Sequence, residues 1–163
     1  MLEFTLILMP FFTLFFLQLS LSYYIFARVT LQQAVRSGVR YGITDTLCAG
    51  GANMSDCVKN RVQWAAGGLL ANSTGRAYIH VDFCQPPEPN TGGPCTPVTS
   101  ASPNAASASQ GGNIMTVSVQ NFPVVPLLPV IPDWSKSPQT SPLSLSAWAA
   151  DKIEATNTPP AAF

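Results

Sequence analysis

His80 and Asp82 come closest to an acid–base pair by type and spacing. Two apart on a strand, an imidazole and a carboxylate share one face, and serines or cysteines elsewhere would supply a nucleophile. Such pairs are common on sheet surfaces, however, and neither a glycine-rich phosphate cradle nor a paired-carboxylate constellation accompanies this one. The chain is expected not to be an enzyme, to use no cofactor and to take no small-molecule substrate. Cys48, Cys57, Cys84 and Cys95 form the other reactive set. None belongs to a CxxC pair, and the single His80 does not complete a convincing zinc set, so no metal site is expected. An even number of cysteines in a loop-rich region points to disulfides made in an oxidising compartment. Three pairings are open. Cys48–Cys57 and Cys84–Cys95 are favoured, each close in sequence and flanked by Gly, Asn or Pro that lets the chain turn. Four inert buried thiols are the competing reading.

The remaining chemistry-bearing residue is Glu3, which stands ahead of a run without charge from Phe4 to Ile25. As a helix that run reaches roughly 30 Å, the thickness of a bilayer's hydrocarbon core. A cleaved secretory signal has a shorter apolar stretch, basic residues before it and small residues at the cut. Here the preceding residue is acidic, and Tyr23-Tyr24-Ile25-Phe26-Ala27-Arg28 follows as an interfacial aromatic belt. The run therefore reads as a membrane anchor. Glu3 can sit in the headgroup layer beside the positive helix N-terminus. Alternatively it pairs with a cation such as the terminal ammonium of a neighbouring copy, and an unpaired charge in an apolar bundle is costly enough to select one stagger. Pro10 removes a backbone bond and is expected to kink or locally melt the helix.

Beyond the apolar run the helix continues amphipathically. Leu31, Ala34, Val35, Gly38 and Gly42 recur at spacings of three and four, with Arg28, Arg36 and Arg40 pointing elsewhere. Ser55 can cap a second helix from about Asp56 to Leu70, ended by Asn72 and Ser73. Alternation predicts strands at Arg76–Cys84, Asn113–Gln120 and Ser141–Ala149. Gln85–Gly112 has no aromatic residue and almost no apolar bulk, so it reads as a long surface loop. Phe122–Trp134 carries four prolines among apolar residues and reads as an extended, polyproline-like run that something must cover. Asn53-Met54-Ser55 and Asn72-Ser73-Thr74 match the glycosylation triplet, a pattern frequent by chance.

The fold class expected is α+β: a long N-terminal hydrophobic helix, then a small head with a second helix and roughly three antiparallel strands. Residues 1–27 form the membrane or filament-core helix, 28–155 the amphipathic continuation and disulfide-stapled head with its 85–112 loop, and 156–163 a mobile tail. Charged residues are only 10% of the 163, and eight basic residues balance eight acidic ones. No basic field exists to attract nucleic acid.

The N-terminal pattern resembles the TadE-like proteins of tight-adherence pilus systems, which are pilins or pseudopilins of the type IV pilus superfamily. Glu3-Phe4, the aliphatic run to Pro10, Tyr24-x-x-Ala27-Arg28 and Leu31-Gln32-x-Ala34-x-Arg36-x-Gly38-x-Arg40-Tyr41 carry that resemblance. The C-terminal half is similar more loosely, in the Met115–Val119 strand, Leu143-Ser144-Leu145-Ser146-Ala147 and Glu154. The resemblance implies that Glu3 registers subunits. It also implies that the segment Phe4 to Phe26 anchors the chain in the membrane and then forms the filament core. Within it stand Phe4, Thr5, Leu8, Pro10, Phe11, Phe12, Phe15, Phe16, Leu19 and Tyr23. The implied partners are copies of this chain, the inner membrane, the pilus-assembly machinery and a prepilin peptidase that removes a short basic leader after a glycine. This sequence shows neither that leader nor that glycine, and the family's glutamate lies slightly farther from the cut than Glu3 lies from Met1, so the mature terminus and its methylation stay open. The function expected is a structural subunit of an extracellular filament. A single-pass membrane-anchored binding or assembly module, a minor pseudopilin outside the fibre, is the alternative.

Overall fold

The computed structural model describes residues 2–44, 53–87, 94–102, 105–124, 144–154 and 161–163. Helix α1 runs without interruption from Leu2 to Ile43. Pro10 lies inside it, and the expected local melting does not occur. Only one intrahelical bond is lost there, and the long turns on either side hold the backbone. The second half of α1 packs on the head through Ala27, Leu31, Ala34, Val35 and Val39, all buried, while Arg28, Arg36 and Arg40 are exposed. The spacing of three and four thus becomes one stripe against the core.

Helix α2 (Met54–Ala65) lies along that stripe and buries Met54, Cys57, Val58 and Val62. It is shorter than the Asp56–Leu70 expected from periodicity. Gly67 and Gly68 take φ of +58° and +96°, the left-handed turn that ends a helix. Asn72, expected only as a terminator, instead caps a short helix α3 (Ser73–Ala77) by accepting a hydrogen bond from Gly75 N at 2.6 Å. Arg76 of α3 ties back to α2 through Asp56, at 2.7 Å, and through Asn60.

Four antiparallel strands follow: β1 (Ile79–Gln85), β2 (Thr96–Val98), β3 (Ile114–Pro123) and β4 (Ser144–Lys152), in the order β2-β1-β3-β4. β1 begins three residues later than expected because α3 occupies that stretch, and β3 and β4 each run three residues further than expected. Ile79, Phe83, Met115, Val117, Val119, Leu145 and Ala147 are buried with α1 and α2 in one core. A bulge between Val119 and Phe122 places Asn121 at φ +56°. The 85–112 segment is not wholly a surface loop, since it contributes β2, a single 3-10 turn at Ala105–Ser107 and the buried Val98 and Ala108. Of the expected extended run, Phe122 and Pro123 belong to β3 and Val124 is buried, while 125–134 lies outside the described residues.

The last residues depart furthest from expectation. Ala161–Phe163 is docked, not mobile; the other expected tail residues, 156–160, lie outside the described residues. The amides of Met54 and Ser55 donate to the carbonyls of Ala161 (2.8 Å) and Ala162 (3.1 Å). Asn53 is the N-cap of α2 and its side chain makes no capping bond, so the tail serves where Ser55 was expected to. Phe163 then packs edge-on against the buried Phe83, with ring centroids 5.3 Å apart. Phe163→Ala is expected to destabilise the head by about 1–2 kcal/mol through lost ring burial, read as a lower midpoint in urea unfolding.

The candidate assembly helix and the head that orients it

Residues 8–26 of α1 carry apolar side chains on every side of the helix. Met9, Phe11, Phe12, Leu14, Phe15, Leu17, Leu19, Leu21, Tyr23, Ile25 and Phe26 are exposed large hydrophobics. Among the described residues, Trp64 and Trp148 are the only such side chains outside α1. A helix apolar all round needs an apolar surrounding, either lipid or other helices. Its length and composition suffice to cross a membrane, and none of its most apolar stretch is buried inside the chain. The serine and threonine hydroxyls within it are already satisfied locally. Thr13 donates to Met9 O at 2.6 Å, Ser20 to Phe16 O at 2.9 Å and Ser22 to Gln18 O at 2.9 Å. These back-bonds remove three polar groups that hydrocarbon would penalise.

The sequence-expected residues fall on this element as follows. Phe11, Phe12, Phe15, Leu19 and Tyr23 are exposed along with Pro10, and Leu8 and Phe16 are half-buried. Phe12 and Phe16, one turn apart, stack with centroids 6.2 Å apart. Glu3, Phe4 and Thr5 lie in α1, but their side chains are outside those described. Gln18 was not among the expected residues. Its exposed amide makes no hydrogen bond among the described residues and sits near the middle of the 8–26 stretch. A search for charge passes over it; asking which side chain in the run has unsatisfied donors would have found it.

Residues 1–40 match the family model of TadE-like proteins. The chain carries a TadE-like N-terminal segment. The likeness lies on α1, whose apolar stretch is long enough to cross a membrane. The match stops short of the end of α1 and includes none of the sheet. No curated protein and no solved structure matches the chain. The TadE-like segment contains both functional halves of the rod, the exposed apolar part and the stripe Ala27–Val39 that docks on the head.

Two further expectations concern the head to which the TadE-like helix is fixed. Cys84 and Cys95 are joined, with Cα atoms 5.7 Å apart, and this bond pins the start of β2 to the end of β1. Cys57 is also disulfide-bonded, while its expected partner Cys48 lies outside the described residues. His80 and Asp82 do share the exposed face of β1. His80 lies opposite Ser118, whose hydroxyl accepts from Gln120 Nε2 at 3.1 Å. Neither the His80 nor the Asp82 side chain makes a hydrogen bond or ion pair among the described residues.

Proposed function

We propose that this chain is a non-enzymatic structural subunit of an extracellular Tad-type filament, polymerising through the apolar half of α1. The observation that carries this reading is one helix with two fates. Residues 27–42 carry the stripe committed to the subunit's own core, and residues 8–26 are left apolar on all sides, with Tyr24 alone among them packed against the core of the described residues. Before assembly that half suits the inner membrane, with the disulfide-bonded head on the oxidising side. After extraction by the assembly machinery, lipid contacts are exchanged for helix–helix contacts of similar apolarity. Little hydrophobic free energy separates the two environments, so close packing and the few polar groups set the geometry. Glu3 registers one subunit against the next, and the unsatisfied amide of Gln18 takes a partner on a neighbouring helix. Maturation by a prepilin peptidase belongs to the same reading.

The alternative keeps the same helix in lipid permanently, as the anchor of a minor pilus-assembly module. Sheared surface material, imaged by electron microscopy and identified by mass spectrometry, separates the two. A fibre whose main band is this chain supports the filament, and its absence from fibres supports the anchor. Glu3→Ala is expected to reduce or abolish assembly while the unfolding midpoint of the head stays unchanged. Fibre yield at the wild-type level from that variant would remove Glu3 from the registering role.

A further inference from the structure

Where α1 leaves the region of the exposed apolar side chains, a groove of about 400 Å³ opens between α1 and α2, lined by Gln33, Arg36, Ser37, Arg40, Tyr41 and Arg61. Three guanidinium groups meet there from two helices. Among the described residues no carboxylate lines the groove, and none of the three arginines has an ion-pair partner. The described chain's one ion pair, Arg76–Asp56, uses a different arginine. Arg61 is held in place from the side, its guanidinium 4.7 Å from the ring centroid of Trp64, which is itself 74% exposed. In a chain of zero net charge, gathering three cations that no described carboxylate pairs with in one concavity leaves local repulsion that a bound anion relieves.

We propose that this groove is a binding site for a soluble small polyanion, a ligand with at least two phosphate or carboxylate groups. Guanidinium forks match the oxygens of both groups. Arg36 and Arg40 are one helical turn apart, an axial separation of ~6 Å, so two anionic groups at that spacing each meet a separate fork. Arg61 closes the opposite wall. The amide of Gln33 and the hydroxyls of Ser37 and Tyr41 supply neutral hydrogen bonds, and the cavity exceeds what a single phosphate fills. A membrane phospholipid is a poorer fit. Arg36 lies ten residues beyond Phe26, a rise of ~15 Å, whereas the headgroup layer is only roughly 6 Å deep on each side. All three arginines are exposed, so screening by salt keeps the affinity modest, in about the millimolar range.

The test is a titration of the full chain in zwitterionic nanodiscs with tripolyphosphate and with citrate, at matched ionic strength. It is followed by NMR at the Arg61 Nε–H and the Trp64 indole. Saturable shifts are expected, with inorganic phosphate binding more weakly. Arg40→Gln and Arg61→Gln are each expected to weaken binding about fivefold or more, and Lys152→Gln on strand β4, which gives the groove no lining residue, to leave it unchanged. Shifts that grow linearly and equally with chloride would overturn the site, as would equal loss in Lys152→Gln. Shifts that require phosphatidylglycerol in the disc, and do not arise with tripolyphosphate, would reassign the groove to the membrane surface and overturn the soluble ligand. Filament yield from Arg40→Gln is expected to match wild type, so this site and the polymer reading fail independently.

Discussion

Leu17→Arg is expected to abolish assembly while leaving the head as stable as in the wild type. Leu17 is 52% exposed and close to the midpoint of the 8–26 stretch, and it belongs neither to the described core nor to the side chains packed against it. Its substitution therefore changes no contact in the core, and urea unfolding of the head should be unaltered. In a bilayer, an arginine at that depth costs roughly 3 kcal/mol on the insertion scale, within what a strongly apolar helix tolerates. In a bundle of identical helices the same charge recurs in every copy, with no carboxylate near residue 17 to pair with it, and like charges repel in an apolar surrounding. The expected outcome is a variant that fractionates with membranes yet yields no fibre. Val29→Arg is the companion, since Val29 is also exposed but lies beside Arg28 at the boundary of the apolar run. It is expected to assemble nearly normally. Normal fibre yield from Leu17→Arg would end the claim that these side chains form the polymer contact, and loss of membrane fractionation would show that insertion, not polymerisation, had failed.

The two halves of α1 were legible in the sequence for different reasons. The charge-free run from Phe4 to Ile25 needs only composition, and the stripe from Leu31 to Gly42 needs only a period of three and four. β1 was legible because Ile79, Val81 and Phe83 alternate with His80 and Asp82. What escaped depends on contacts that no local window contains. β2 is three residues with a proline at its centre, and it pairs with β1 at the edge of the sheet, where Pro97 is tolerated and where the Cys84–Cys95 bond brings it. The helical period carries on through Gly67 and Gly68, but their positive φ ends α2 before that period does. Ala161-Ala162-Phe163 has no pattern of its own and gains a structure only by meeting the first amides of α2 and the ring of Phe83. The same holds for the arginine groove. Arg36 and Arg40 read as a solvated face until α2 sets Arg61 opposite them.

Gly42→Leu is expected to lower the stability of the head by ~3 kcal/mol or more, and its melting temperature by on the order of 10 °C, because α1 can approach β3 and α2 only where it carries no side chain. A Cβ built at Gly42 would lie 2.8 Å from Met115 Sδ and 2.9 Å from Val58 Cγ2, both well inside normal contact. Gly38 faces Val62 and Val58 in the same way one turn earlier. Magnitudes separate two substitutions at this position. Gly42→Ala adds one carbon; Met115 can swing its flexible end aside but the stiff, buried Val58 must also give, so the helix-propensity gain of about 1 kcal/mol is offset and a loss well below that of leucine is expected. Leucine adds three further carbons against a fully buried methionine and a fully buried valine, and no rotamer change makes room for them. The strain is then relieved only by moving α1 off the sheet. Gly42→Leu combined with Met115→Ala tests this cause directly: each change alone destabilises, and the pair is expected to be more stable than the sum of the two predicts. Additivity within a few tenths of a kcal/mol would locate the cost elsewhere. The consequence extends beyond stability, because this contact fixes the angle at which the rod leaves the head. If neighbouring rods set the packing of a fibre, the Gly38–Gly42 seam carries that packing to the surface each head presents. A Gly42→Leu chain that still folds at low temperature is therefore expected to form fewer or irregular fibres, even with residues 8–26 untouched.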